Sequence, residues 1–238
     1  MKMMKYVFDI LRKENPQSES YHQRILYETD NENETVAIAL MKINHAEQYL
    51  DTEGNVVREI QWEAGCLQKK CGACAMLINQ IPALACDTFL KKLKNRKIIY
   101  LAPLSKFPVI KDLAVDRSIM AENLKTLKVW SGDSAEIKEK NLETAYEASR
   151  CLQCGCCLEA CPNFYNDGSF TGAAGFAPLS RLLSSYSEEE KKMLRGQYLS
   201  SVFEGCGKSL ACKKVCPAQI DLDHLLSRSN AIMIWHRR

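Results

Sequence analysis

No apolar run in the 238 residues approaches the roughly 18 that a membrane-spanning helix needs, so no segment is expected to cross a bilayer. Lysines open the chain, but Asp9 and Arg12 interrupt the apolar stretch and no small-residue cleavage site follows, so secretion is not expected. Charge of one sign is also scarce. The 32 basic and 29 acidic residues leave +3, too little to imply nucleic acid, and the basic run Lys91, Lys92, Lys94, Arg96, Lys97 reads as a solvated turn. There is no Gly-rich nucleotide fingerprint and no paired nucleophile and base, so the chain has no evident substrate pocket of its own. His22, His45, His224 and His236 are scattered, which excludes a Rieske-type centre with two histidines at motif spacing. Low-complexity linkers are missing as well; residues 131–134 and 167–172 read as ordinary loops.

What remains is a composition 46% apolar and 26% charged, ordinary for a globular protein, with a length that fits two domains of about 100–130 residues. Residues 6–12 and 21–28 read as two strands joined by the turn-rich stretch 15–20. Residues 35–43 are apolar at helical spacing after the capping candidates Asp30, Asn31 and Asn33. A second hairpin over 75–85 turns near Asn79 and Gln80, and 97–101 reads as a closing strand. Beyond Asp116 the pattern becomes helical: 118–130, 142–149, 179–204 in one or two pieces, and 221–235, with the charged run 188–192 on a solvated helix face. The expected fold class is α+β, with a mixed domain over residues 1–118 and an all-α domain over 119–238.

Twelve cysteines are the anomaly. Without an export signal they are expected in a reducing compartment, where clustered cysteine binds metal more often than it forms disulfides. Cys66, Cys71 and Cys74 carry plant-type [2Fe–2S] spacing, and Cys86 follows from the neighbouring hairpin to close the cage. Gly65 and Gly72 let the backbone approach, and amide N–H groups there can stabilise the negative charge of a cluster. Structural zinc is the rival, but it commonly uses paired short knuckles rather than a triplet and a single.

Cys151, Cys154, Cys157 and Cys161, followed by Pro162, match the bacterial ferredoxin run in every spacing. In two-cluster ferredoxins the fourth cysteine of such a run ligates the other cluster, so a second run is required. It is present in damaged form: Cys206, Cys212 and Cys216-Pro217 keep the frame, and Ser209 stands where the second cysteine belongs. Crossing the ligands places Cys151, Cys154, Cys157 and Cys216 around a [4Fe–4S] cluster and Cys161, Cys206 and Cys212 around another. Three sulfurs predict [3Fe–4S]; a fourth iron held by the Ser209 oxygen or by solvent is the alternative, with serine a poor match to a soft-ligand site. Cys156 is left over and reads as a packed free thiol. Clusters in series imply a donor and an acceptor held by partner subunits.

This order of motifs resembles the iron–sulfur subunits of succinate dehydrogenase and fumarate reductase over nearly the whole chain. The resemblance rests on Cys71-Gly-Ala-Cys74, on residues 103–116 and on the two cysteine runs ending at Pro162 and Pro217. It implies a β-grasp plant-type ferredoxin domain, then a bacterial-type two-cluster ferredoxin domain. It further implies a partner flavoprotein with covalent FAD, a membrane-anchor cytochrome b subunit that binds quinone, and a peripheral position on the cytoplasmic face of a bacterial cell membrane. Electrons are then expected to pass between flavin and quinone through [2Fe–2S], [4Fe–4S] and [3Fe–4S] in that order. Many family members carry tryptophan after the first Cys-Pro and histidine after the first cysteine of the last group; here Asn163, Phe164, Tyr165 and Asn166 follow Pro162, and Gly207 follows Cys206. Tyr165 and Arg228 are the candidate substitutes for those quinone contacts, with ordinary packing or a surface position as the alternative for each. These departures resemble the menaquinone-linked branch, in which two haems b are common.

Overall fold

The computed structural model describes residues 3–94, 98–130 and 139–235. His236, the stretch 131–134, and Arg96 and Lys97 of the basic run lie outside them. The chain divides into two compact units, one ending at Asp116 and one beginning at Arg117.

In the first unit β1 (Met4–Arg12) and β2 (Tyr21–Thr29) form the expected antiparallel hairpin, followed by α1 (Val36–His45). The N-cap of α1 is Thr35, whose hydroxyl accepts from the Ile38 amide, not one of the earlier Asp or Asn candidates. Asn31 instead closes its own turn by accepting from the Asn33 amide. A second hairpin joins β3 (Ala75–Ile78) to β4 (Ile81–Leu84). Its two-residue loop, Asn79 and Gln80, has φ of 50° and 68°, the doubly left-handed geometry that matches the twist of the strands. After the single helical turn α2 (Leu90–Leu93) comes β5 (Ile99–Ala102). It lies parallel to β1 and antiparallel to β3, giving the order β2-β1-β5-β3-β4. The basic run is thus part helix, because buried Leu90 anchors it. A two-stranded ribbon, β6 (Val109–Lys111) and β7 (Ala114–Val115), was not expected: its strands are too short to show alternation.

Phe8, Ile10, Ile25 and Ile99 on the sheet and Val36, Ala39 and Leu40 on α1 are fully buried and form the core of this unit. At the start of α1, Glu34 is 1% exposed, accepts from Tyr27 Oη at 2.5 Å and pairs with Lys42. Burial works to raise its carboxyl, but hydrogen bonds from Lys42, Tyr27 and Thr29 win and hold it below the ordinary 4.5. The same stretch is tied to the chain just past Cys86, by Val36 N to Thr88 O and Leu90 N to Glu34 O, both 2.9 Å. A depressed carboxylate stabilises the fold above its unfolded pKa, and that contribution is lost as pH falls through the folded value. Thermal melts of wild type and Glu34→Gln should therefore differ most near neutral pH and converge as pH drops below 4.5. A constant offset at all pH values would show that the charge of Glu34 is not what stabilises this corner.

The second unit is helical: α3 (Ser118–Thr126), α4 (Leu142–Ser149), α5 (Cys156–Ala160), α6 (Gly172–Leu182), α7 (Glu188–Tyr198), α8 (Ala211–Val215) and α9 (Leu222–Met233). A π-helical turn, Leu199–Phe203, extends α7. The periodic run expected from residue 179 is broken before the Ser187–Glu190 capping box that starts α7, and three glutamates fill the first turn of that helix against its dipole. The preceding helix begins earlier than expected, at Gly172, because Gly172, Gly175 and Pro178 are weak helix formers that mask it. Packing explains the glycines: a Cβ at Gly172 would lie 2.4 Å from Leu158 Cδ2, and one at Gly175 2.6 Å from the Thr171 side chain. Phe176, Leu179, Tyr198, Val202 and Leu225 make the core, with Tyr198 Oη donating to Asn230 Oδ1 at 2.7 Å.

Candidate metal centres

Residues 65–74, between the bridged pair Leu50 and Val56 and strand β3, have no regular structure, and their backbone is bent inward. Leu67 (φ 54°), Lys69 (φ 59°) and Gly72 (φ 76°) occupy the left-handed region. The result is a ring of amides directed at sulfur. Gln68 N and Lys70 N donate to Cys66 Sγ at 3.3 and 3.2 Å, Cys66 N to Cys71 Sγ at 3.4 Å, and Lys69 N to Cys86 Sγ at 3.3 Å. Amide donors aimed at sulfur favour its charged form, so this loop is built for thiolates. The amides of Gln68 and Lys70 bring Cys66 down to about 7, whereas burial pushes Cys74 up to about 12, with the Cys86 and Cys71 sulfurs adding to the rise. Cys86 reaches the loop from the single turn Ala85–Asp87 after β4, fixed by Ala85 N donating to Cys74 O at 3.0 Å. A Cβ at Gly65 would sit 2.9 Å from Cys71 Sγ, so a side chain there would push that sulfur out of place. The four expected cysteines of this group are thus brought together.

In the second unit the two cysteine runs fold as copies of one motif. Gln153 and Gly155 before α5 have φ of 49° and 84°; Lys208 and Leu210 before α8 have 54° and 57°. Both helices are five residues long and both end in extended cysteines, Cys161 and Cys216, ahead of their prolines. Leu158 N and Glu159 N donate to Gly155 O in one copy, and Lys213 N and Lys214 N to Leu210 O in the other. By this correspondence Ser209 occupies the place of Cys154, and Ala211 that of Cys156.

Two cavities sort the sulfurs. One is lined by Cys151, Cys154, Cys157 and Cys216; the other is lined by Cys161, Cys206, Cys212 and Ser209. The last cysteine of each run therefore faces the cavity of the other. Burial raises Cys157 well above its ordinary value, and burial pushes Cys212 up to about 11, with Cys161 and Cys206 adding to it. Cys154 is held at about 7, chiefly by the thiol of Cys156 and with help from the Arg117 guanidinium, and the same contact together with burial pushes Cys156 upward. Cys156 is completely buried and lines neither cavity. Among the described residues no three His, Cys, Asp or Glu side chains converge to hold a single metal ion; the sulfurs ring volumes instead.

Tyr165 is exposed after Pro162, and Arg228 on α9 donates to Asn141 Oδ1; neither lines a sulfur cavity. His22 contacts Asp9, His45 the Met41 carbonyl, and the His224 amide the Asp221 cap. Pattern reading passed over Gln153, whose Nε2 lies 3.3 Å from Cys151 Sγ, and the amides of residues 68–70. A polar side chain between two closely spaced cysteines was the available signal for Gln153; the amide contacts have none.

Residues 7–122 match the model of a 2Fe-2S iron-sulfur cluster binding domain, and residues 147–220 that of a 4Fe-4S dicluster domain. The succinate dehydrogenase iron-sulfur subunit of Bacillus subtilis is 33% identical over 211 residues, covering 83% of this chain and 81% of that one. The fumarate reductase iron-sulfur subunit of Wolinella succinogenes is 32% identical, covering 71% and 77%. In three dimensions the fold matches a chain of the Mycobacterium smegmatis Sdh1 complex in the apo form, with a TM-score of 0.77, 98% of both chains covered and 18% identity. A mixed-sheet unit followed by a helical one, each with its own cysteine-rich domain match, completes the case: the chain belongs to the family of succinate dehydrogenase and fumarate reductase iron–sulfur subunits.

Proposed function

We propose that this chain is the electron-relay subunit of a membrane-bound succinate:quinone oxidoreductase, with a β-grasp ferredoxin unit and a two-cluster ferredoxin unit. It would connect the FAD of a flavoprotein subunit to quinone, on our reading menaquinone, at a cytochrome b anchor carrying haem. Cys66, Cys71, Cys74 and Cys86 would hold [2Fe–2S]; Cys151, Cys154, Cys157 and Cys216 would hold [4Fe–4S]; and Cys161, Cys206 and Cys212 would hold [3Fe–4S]. The observation that carries this reading is the sorting of sulfurs into a four-cysteine and a three-cysteine cavity, each completed by the opposite run. Bound clusters supply one-electron storage at potentials that protein surroundings set.

The chain's own contribution is to fix the sulfurs and stabilise their charge. Loop amides do this around Cys66 and Cys86, and the thiol of Cys156, Arg117 and Gln153 do it around Cys154 and Cys151. No helix among the described residues is long and apolar enough to cross a membrane, which fits a peripheral subunit held by an anchor, placed in our reading on the cytoplasmic face. The same architecture serves a quinol:fumarate reductase; direction is a matter of potentials.

The test is metal analysis and low-temperature EPR of the complex purified with its partners. Iron and labile sulfide in the proportions of the three cluster types are expected, with a three-iron signal in the oxidised state. Chelation under reducing conditions should abolish the visible absorbance and succinate-to-quinone electron transfer together. A colourless zinc-loaded protein would sink the reading, and a brown, partner-free active carrier would replace the relay with a stand-alone ferredoxin role.

A further inference from the structure

Pro178 lies inside α6 and has no N–H, so the carbonyl of Ala174, four residues earlier, loses its intrahelical donor. Gln153 supplies one: its Nε2 donates to Ala174 O at 2.9 Å and, through its second hydrogen, to Cys151 Sγ at 3.3 Å. The side chain is launched from a left-handed backbone (φ 49°), a conformation uncommon for a residue other than glycine. In the second copy of the motif Lys208 stands at the corresponding place, so the device belongs to one cavity only.

We propose that Gln153 tunes the reduction potential of the centre held by Cys151, Cys154, Cys157 and Cys216, with Pro178 freeing the Ala174 carbonyl that locks its amide in place. The inference rests on those four cysteines ligating a cluster, as argued above. A donor aimed at ligand sulfur withdraws charge and favours the reduced, more negative state, so it raises the potential. An unanchored glutamine spends its rotamer freedom in solvent. The second bond to Ala174 O removes that freedom and makes Gln153 a positioning residue for charge rather than a ligand.

Redox titration of the intact complex, followed by EPR of the reduced four-iron centre, tests the proposal. Gln153→Met keeps the length and removes the donor. At fixed ambient potential it should shift the ratio of reduced to oxidised centre downward by several-fold, up to about tenfold, which equals about 59 mV for one electron. Gln153→Glu, which sets a carboxylate against sulfur, should fall lower still. Pro178→Ala restores the helix donor to Ala174 and should shift the same centre in the same direction, by less. In each variant the three-iron centre should titrate as in wild type. An unshifted four-iron centre in Gln153→Met, or in Pro178→Ala where the first variant fails to assemble, overturns the proposal. A wild-type complex without a four-iron signal would instead overturn the ligand assignment beneath it.

Discussion

Replacing Ser209 with cysteine is expected to convert the proposed three-iron centre into a [4Fe–4S] centre, abolishing its oxidised-state EPR signal and lowering its potential. The two copies of the cysteine motif give the physical reason. Ser209 sits between left-handed Lys208 and Leu210 as Cys154 sits between left-handed Gln153 and Gly155. It lines the cavity that already holds Cys161, Cys206 and Cys212, so a sulfur there needs no backbone movement. The present hydroxyl is engaged locally, accepting from Ala211 N at 3.4 Å, and an alcohol is a weak match for iron that prefers thiolate. Ser209→Ala separates the alternatives: a three-iron signal already present in wild type should persist unchanged, whereas its appearance only in the variant would identify the serine oxygen as the ligand of a fourth iron. An unchanged three-iron signal in Ser209→Cys would remove Ser209 from the fourth corner.

Much of this was legible in the chain because the relevant signals are local. Cysteine spacing, the prolines at 162 and 217, and the Asn79-Gln80 turn each act within a few residues of where they are read. The pairing of Cys216 with the first run and Cys161 with the second follows from a rule about chain direction, and the cavities sort the same residues. What escaped depends on contacts between distant segments. Helix α6 is written in glycine and proline because Leu158 and Thr171 press against its backbone, and no periodicity reports that pressure. The ribbon β6–β7 and the approach to Cys66 have almost no pattern of their own; they are positioned by a side chain far away in sequence, 100 residues from Asp112 and 47 from Glu59.

That side chain is Arg12, and Asp112→Ala is expected to destabilise the first unit by about 3–5 kcal/mol, because it leaves a buried guanidinium without its counter-charge. Arg12 and Asp112 are 1% exposed each, and the pair is bidentate, with Nε to Oδ1 at 2.9 Å and Nη2 to Oδ2 at 3.1 Å. Asp112 also accepts from the amides of Lys13 and Gln61, and Arg12 donates to the carbonyl of Glu59. Together with Asn44, which bonds both the amide and the carbonyl of Ile60, they fix residues 58–61, the segment that leads into the Cys66 loop. Loss of the carboxylate should therefore act twice: the melting temperature of this unit falls by about 12 °C or more, and the [2Fe–2S] signal is lost ahead of those from the second unit. Asp112→Asn retains a side chain that tolerates φ of 46° and should fall in between. Pairing Asp112→Asn with Arg12→Met removes the stranded charge and should recover part of the stability. If the double variant is as unstable as the two single losses added together, the pair acts through separate contacts, and the approach to Cys66 is held by something other than this ion pair.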